Sequence, residues 1–223
     1  MTIEAFRYFL RKSNETASRH FRNRGFQMKL IASKVLLLFL LSCNRSYAAD
    51  VLADITARLI KTPITQGEFQ QEKRLKILRK PLISTGVFTY SQSNGVIWKT
   101  LTPIPSLLLV NDPHLLTGQG EQAVPPAFGK VFKAMLGGDL KQLSDGFVIT
   151  GEDKKSAWTL QLTPKDEMLK KIISSIVLNG DTELRVLEMQ EVNSNITRIS
   201  FTKITHPDQL TSEQQADFER LSP

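Results

Sequence analysis

A long series of strand-like segments separated by turn residues constrains the fold of this chain more than any other feature. The ten candidate strands are 67–78, 82–90, 95–101, 106–111, 114–118, 146–151, 156–163, 172–179, 183–192 and 196–204. Several are joined by turn sequences such as Ser93-Asn94-Gly95 and Asn179-Gly180-Asp181. Because such short connections join antiparallel neighbours, the sequence predicts one antiparallel meander.

Three segments with helical spacing of apolar residues interrupt or flank this pattern. Residues 50–62 precede Pro63, residues 126–144 include the helix-ending pair Gly137-Gly138, and residues 211–221 open with Thr211 and Gln214 at capping-box spacing. A sheet of about ten strands should curl. With so little helix to cover its inner face, the sheet either packs as a sandwich or encloses a cavity.

The positive charge of the chain is confined to its leader. The 223 residues carry 29 Lys and Arg against 22 Asp and Glu, for a net charge of +7. The first 48 residues hold nine of these basic groups and two of the acidic groups, so 49–223 is left with 20 of each. A basic stripe with interleaved stacking aromatics, as nucleic-acid binding needs, is therefore missing from the body, and we expect no nucleic acid as a partner.

Residues 28–48 have the pattern of a secretory signal peptide. Lys29 and Lys34 precede the apolar run 35–41, and Ser46 and Ala48 place small side chains where a signal peptidase requires them. An apolar run of seven residues is too short to span a bilayer, which needs about 20. We predict a leader over 1–48, a single domain over 49–223 and export to the periplasm, with translation starting at Met1 or Met28.

Cys43 is the single cysteine of the chain, and it introduces an alternative. Leu40-Leu41-Ser42-Cys43 is similar to a bacterial lipobox, in which the cysteine is lipid-modified and anchors the protein. If cleavage follows Ala48 instead, the mature protein has no cysteine, which suits an oxidising compartment.

The body lacks the patterns that catalytic and metal chemistry need. Neither His114 nor His206 belongs to an HxxxH, HExxH or HxH pattern, so the usual metal-ligand spacing is missing. A nucleophile elbow, a mature cysteine and a glycine-rich phosphate loop are also missing. We expect no enzyme activity, no metal and no cofactor.

Several short motifs occur in the order and spacing of one family of envelope proteins. The most recognisable are Gly67-Glu68-Phe69-Gln70-Gln71, which reads as G-x-F-x-Q, and Trp98 followed by Pro103, which reads as W-x-x-x-x-P. Further matching segments are 84–88, 107–112, 176–181 and 195–201. Together they resemble the LolA-type carriers of outer-membrane lipoproteins over nearly all of 50–204.

The resemblance implies a mainly β fold, namely an unclosed, strongly curved antiparallel β-barrel (a half-barrel) with short helices forming a lid over an apolar cavity. It also implies a periplasmic carrier that takes acylated lipoproteins or other lipid-linked cargo from an inner-membrane transporter to an outer-membrane acceptor. We expect such a carrier to be a monomer. The alternatives are a LolB-like acceptor anchored through Cys43, and an accessory lipid-binding protein of an envelope exporter pathway.

The sequence also provides candidate ligand-binding residues. For the inner face of the sheet we expect Phe69, Phe88, Trp98, Leu109, Phe147 and Trp158, and for the lid we expect Phe128, Phe132 and Met135. The family commonly has an Arg that bonds to the lid and keeps the empty carrier closed. Gln92 stands at that position here, which is typical of a divergent branch.

Overall fold

The computed structural model describes residues 44–111, 115–117, 120–121, 132–154 and 156–220. By the density of its internal contacts the chain divides into two units, Met1–Tyr47 and Ala48–Pro223. The fold described below is that of the second unit. The predicted signal peptide lies almost entirely outside the described residues, as do Cys43, Phe128 and His114.

One antiparallel sheet forms the body of the protein, as the turn pattern predicts. Its strands are β1 (Ile64–Arg74), β2 (Leu82–Ser91), β3 (Gly95–Thr102), β4 (Ser106–Val110), β5 (Leu115–Thr117), β6 (Gly120–Glu121), β7 (Phe147–Lys154), β8 (Ala157–Pro164), β9 (Ile173–Gly180), β10 (Leu184–Glu191) and β11 (Ile196–Thr205). The spatial order is β6-β5-β4-β3-β2-β1-β11-β10-β9-β8-β7. Within the described residues no pairing joins β6 to β7, so the sheet is not closed into a barrel. This confirms the predicted half-barrel.

The pairing of β1 with β11 joins the two halves of the sheet. Phe69 lies opposite Phe201 and Arg74 lies opposite Ile196 in this pair. The two strands are more than 120 residues apart in the chain, and no turn sequence indicates that they are neighbours. The ladder places residues from the beginning and the end of the domain side by side at the centre of the sheet.

The helices are short and only partly where the sequence predicts them. They are α1 (Asn44–Arg58), α2 (132–136), α3 (Leu143–Gly146), α4 (Glu167–Lys170) and α5 (Ser212–Glu219), with a 3₁₀ turn at Leu140–Gln142. The capping box of Thr211 and Gln214 is present at the start of α5, which confirms that prediction. In the described part of 126–144, α2 ends before Gly137 and Gly138, as the glycine pair predicts, and a 3₁₀ turn and the start of α3 follow.

The two faces of the sheet are covered by different helices. Along β3, Val96 and Trp98 belong to the main core, whereas Ile97 between them belongs to a second cluster. The main core also contains Ile55 of α1 and Phe132 of α2, and we call this side the inner face. Alternating strand side chains thus supply two separate cores from one strand.

The second cluster lies on the outer face. It contains Ile97, Leu109 and Phe218 of α5. Lys99 of β3 donates a hydrogen bond of 2.6 Å to Glu213, which adds a polar link between α5 and the sheet. The two clusters thus lie on opposite faces of the sheet.

Candidate ligand-binding cavity

An apolar cavity of about 180 Å³ lies between the inner face of the sheet and the helices. Among the described residues its polar side chains are those of Gln71 and Thr197, and none of the described lining residues is charged. The described lining is Gln71, Trp98, Leu108, Phe132, Met135, Phe147, Leu169, Ile173, Ile176, Leu187, Met189, Thr197 and Ile199. A mainly apolar space of this size, with two uncharged polar side chains, favours a hydrocarbon occupant over a polar one.

The sheet register explains how three strands form one wall of the cavity. Met189 of β10 lies opposite Thr197 of β11 on one side and opposite Ile176 of β9 on the other. Two residues earlier, Leu187 lies opposite Ile199. Residues that face each other across antiparallel strands point to the same side of the sheet, so these five side chains form a continuous apolar surface.

An aromatic cluster closes the other side of the cavity. The ring of Trp98 stacks on Phe69 with 3.8 Å between centroids, and Phe132 meets it edge-on at 5.2 Å. Phe69 comes from β1 and Phe132 from α2, so Trp98 links a strand pair to the helix above it. This edge-on contact sets the position of α2 over the inner face.

Four of the candidate ligand-binding residues line the cavity in this structure. They are Trp98, Phe132, Met135 and Phe147. The structure thus brings together two lid candidates and two strand candidates.

Three other candidates are buried in the surrounding core without reaching the cavity. Phe69 lies behind Trp98, and Phe88 packs edge-on against Phe201 at 5.4 Å. Trp158 lies against Gly180 and donates its indole N–H to the Asp181 carbonyl oxygen at 2.8 Å. Their role in this structure is to support the wall.

Leu109 requires a correction. It lies on the outer face with Ile97 and Phe218, whereas its neighbour Leu108 lines the cavity. The run of three leucines at 107–109 carries no alternation of apolar and polar residues, so the sequence did not show which of them points inward. Leu109 is therefore buried in the outer-face cluster and does not belong to the core around the cavity.

Sequence reasoning missed the contribution of β9, β10 and β11. Ile173, Ile176, Leu187, Met189 and Ile199 all line the cavity, and all lie on strands that the sequence predicts. The apolar alternation of these strands shows that one face is buried. It does not show that this face meets Trp98, because that depends on the β1–β11 pairing.

Gln92 lies at the edge of a second, polar pocket of about 540 Å³ beside the lid. This pocket also includes Lys61, Lys133, Asp139 and Gln142. The backbone N–H of Gln92 donates to the Pro63 carbonyl oxygen at 2.9 Å. Among the described hydrogen bonds none joins the Gln92 side chain to α2, so the described contacts give Gln92 no role as a latch.

The one histidine that the structure describes, His206, lies in a polar cluster near a smaller pocket. Its Nε2 lies 2.6 Å from Glu183 Oε1, and its Nδ1 lies 2.9 Å from Thr62 Oγ1. The Thr62 hydroxyl donates its own proton to the Ile64 carbonyl oxygen at 2.9 Å. Thr65 Oγ1 lies 3.4 Å from the same Nδ1. The cluster links the start of β1, the β9–β10 turn and the end of β11.

Ionisable groups near the cavity lie at one end of the strands. Burial raises the pKa of the Glu191 carboxyl, but hydrogen bonds from Asn195 and Asn193 and the nearby Lys73 outweigh it, so the pKa is lowered overall. The carboxylate is therefore ionised near neutral pH and lies 3.4 Å from Lys73 Nζ.

In the part of the chain that the structure describes, no group of His, Cys, Asp and Glu is suited to hold a metal ion. The described helices are also too short or too polar to cross a membrane.

The structure is thus a half-barrel, with an unclosed antiparallel sheet and short helices over an apolar cavity. Residues 122–213 match the family model described as "Outer membrane lipoprotein carrier protein LolA-like". This match agrees with the resemblance that the sequence motifs indicate, and the fold is of the LolA-like type.

Comparison with solved structures finds proteins of low sequence identity. They include the Pseudomonas aeruginosa MucA/MucB complex, with 16% identity, a TM-score of 0.45, and coverage of 75% of this chain and 59% of that chain. A LolA superfamily protein from Nitrosomonas europaea has 9% identity and a TM-score of 0.42, with coverage of 75% and 98%. A putative outer membrane lipoprotein-sorting protein domain from Vibrio parahaemolyticus has 9% identity and a TM-score of 0.43, with coverage of 80% and 98%. This chain thus spans about three fifths of the first of these. The curated proteins contain no match.

Proposed function

We propose that this protein is a periplasmic carrier that binds an acyl chain of a lipoprotein, or of other lipid-linked cargo, in the apolar cavity. The observation that carries the proposal is the cavity of about 180 Å³, with no charged residue in its described lining and with α2 along one wall. The family match supports it, since the matched model describes lipoprotein carriers. The role is non-catalytic, because an apolar chain is bound by burial alone.

The energetics of acyl binding suit this site. Burying each methylene contributes about 0.8 kcal/mol, so a dozen methylenes supply roughly 10 kcal/mol before the cost of association. A dry apolar cavity of about 150 Å³ is large enough for benzene. At about 180 Å³, the cavity holds a short segment of one chain in this state. A longer chain requires the lid to move away from the sheet.

The lid is suited to such a movement. Phe132 and Met135 of α2 contact the cavity, and the side chain of Met135 is unbranched and adaptable. A lid that prefers the empty, closed state lowers the cost of releasing cargo. In this protein apolar packing between α2 and the sheet supplies that preference, in place of the charged latch of the family.

The partners proposed with this function are an inner-membrane transporter as donor and an outer-membrane acceptor. In the anchored alternative the sulfur of Cys43 carries a lipid. Mass spectrometry of the processed N-terminus separates the two. Soluble carriage requires a chain that begins after Ala48, whereas an acylated Cys43 establishes the anchored acceptor.

A cavity-filling substitution tests the site directly. Met189→Trp places a large ring in the space between β9, β10 and β11, and we expect it to lower the affinity for a fluorescent fatty acid probe at least tenfold. The matched control is Val87→Trp, which adds the same side chain at an exposed position of β2 away from the cavity lining. The control should bind the probe like the unmodified protein.

Overpacking of Met189→Trp costs up to about 3 kcal/mol, so thermal unfolding of both variants is measured beside the binding. Unchanged probe affinity in a folded Met189→Trp variant would contradict the proposed site. Native mass spectrometry of protein isolated from its own periplasm provides a second readout. A co-purified acyl-bearing molecule supports the carrier role, and a polar ligand with no acyl group speaks against it.

A further inference from the structure

Exposed apolar side chains are concentrated at one rim of the sheet. We call the turns 75–81, 103–105, 165–172 and 192–195, with the strand ends beside them, the loop rim. The register places them together, since Lys73 lies opposite Leu82, Thr100 opposite Ser106 and Glu191 opposite Ile173. Among the described residues, every exposed large apolar side chain except Ile60 and Val87 lies at this rim.

The β1–β2 turn carries the densest part of this surface. Ile77 is 88% exposed, and Leu78, Leu82 and Ile83 are exposed beside it. The neighbouring turns add Ile104, at 77% exposed, and Met168, at 69% exposed. Exposed apolar side chains that lie close together in this way commonly mark an interaction surface.

Basic side chains surround the apolar residues of the β1–β2 turn. Lys76, Arg79 and Lys80 are exposed, and no described ion pair involves any of them. The acidic groups nearby are engaged. Glu72 pairs with Arg74 at 2.7 Å and Glu191 pairs with Lys73 at 3.4 Å.

The α4 side of the loop rim has a similar balance. Glu167 pairs with Lys170 at 2.7 Å, and Asp166 accepts hydrogen bonds from two backbone N–H groups at the start of α4. Lys171 is exposed beside them, and Asp145 and Asp166 are exposed acids near the rim for which no ion pair is described. The unpaired charge of the loop rim is therefore mainly positive.

We propose that the loop rim docks on an anionic membrane surface, with the side chains of the β1–β2 turn inserted at the level of the lipid headgroups. Apolar side chains that enter the interface, together with Lys and Arg that meet anionic headgroups, are the two components of interfacial membrane binding. The alternative of a protein partner fits less well, because Lys is depleted in protein interfaces. The apolar residues are also spread over four separate turns, which suits a planar surface better than a groove.

The docked orientation brings the cavity close to the membrane. Gln71, Ile173 and Thr197 line the cavity and lie within a few residues of the strand ends at the loop rim. Leu169, in the turn between β8 and β9, belongs to both the loop rim and the cavity lining. Docking itself does not depend on what the cavity binds, so it can be tested separately from the carrier proposal.

An environment-sensitive fluorophore at the tip of the turn tests the docking. In the full chain with Cys43→Ser, an NBD group is attached at Ile77→Cys, and the matched control carries it at Ser93→Cys in the β2–β3 turn of the opposite rim. With vesicles of phosphatidylglycerol and phosphatidylethanolamine, we expect a blue-shifted, at least twofold brighter emission at position 77, quenched by lipids with shallow spin labels. Position 93 should not respond.

The comparison of the two positions keeps the result independent of the leader. If the basic leader alone brought the chain to a vesicle, positions 77 and 93 would respond alike. The triple variant Lys76→Glu, Arg79→Glu and Lys80→Glu should raise the concentration of anionic lipid that gives half of the emission change at least tenfold. Each Lys or Arg near an anionic surface adds to the attraction, and each Glu in its place opposes it.

Three outcomes overturn the proposal. One is an unchanged emission at position 77 while the protein floats with anionic vesicles. Another is an equal response with pure phosphatidylcholine, which would remove the role of charge. The last is a concentration-dependent shift at position 77 without vesicles, which would identify the loop rim as a contact between copies of this chain.

Discussion

Trp98 is the residue on which the most parts of the inner face converge. It stacks on Phe69 from β1, meets Phe132 from α2 edge-on and approaches Phe201 from β11 at 6.2 Å. Close contacts of this kind require small residues next to the rings. Gly86 provides one such place, since a Cβ atom there would lie 2.6 Å from the Phe69 ring.

Gly86→Ala should therefore destabilise the protein by about 1–3 kcal/mol, because the added methyl group meets the Lys99 carbonyl oxygen of β3 as well as the Phe69 ring that stacks on Trp98. The free energy of unfolding in urea measures the effect. Gly146→Ala is the matched control, since nothing lies within 4 Å of a Cβ atom at that position. Equal stability of the two variants would show that the aromatic stack tolerates displacement.

At the scale of the elements, the two faces of the sheet are covered by different helices. The inner face meets α2 through Phe132 and Met135 and retains a cavity. The outer face meets α5 through Phe218. Because α5 has only eight residues, its stability depends on this packing, on its cap and on the contact between Lys99 and Glu213.

The contact between α5 and β3 should depend on pH. The hydrogen bond from Lys99 lowers the pKa of the Glu213 carboxyl, and the same bond raises the pKa of Lys99. A carboxyl whose pKa is lowered by folding stabilises the folded state above its ordinary pKa, and this contribution is lost as pH falls through the lowered value. We expect amide hydrogen exchange in α5 to be faster at pH 3 than at pH 6, after correction for the intrinsic rate.

Glu213→Gln provides the control for this pH dependence. The amide cannot form the charged pair, so α5 should exchange at the faster corrected rate at both pH values. If the unmodified protein and Glu213→Gln behave alike at pH 6, the contact adds nothing measurable, as is common for exposed ion pairs.

At the scale of the whole molecule, the central ladder between β1 and β11 joins two meanders into one sheet. β6 to β1 form one half in reverse chain order, and β11 to β7 form the other. The strands at the β6 edge are short, since β6 has two residues and β5 has three, whereas β7 at the other edge has eight. Stability should therefore decrease from the centre of the sheet to the β6 edge.

Native-state hydrogen exchange measures this gradient. We expect the amides of β1 and β11 to exchange only through global unfolding, with protection equal to the free energy of unfolding. The amides of β5 should exchange through local opening and at least a hundredfold faster. Uniform protection across the sheet would contradict the view that the central ladder is the most stable element.

Much of the fold follows from local patterns, and the candidate site follows from them only in part. Turn residues and alternation placed the strands, and Thr211 with Gln214 placed the start of α5, since these signals act over a few residues. Leu109 illustrates the limit, because a run of leucines does not show which side chains point inward. The cavity residues of β9, β10 and β11 illustrate it again, since their position depends on a pairing with no local signal.

The amino-acid sequence is sufficient for the order of the strands along the chain, their antiparallel hairpins, the neutral charge of the body and the family motifs. The tertiary structure was needed to show which strands meet at the centre, which apolar residues surround a cavity and which remain exposed at the loop rim. The physical reason is the range of the interactions. Turns and caps are formed by neighbouring residues, whereas a cavity is the space left after packing of residues far apart in the chain.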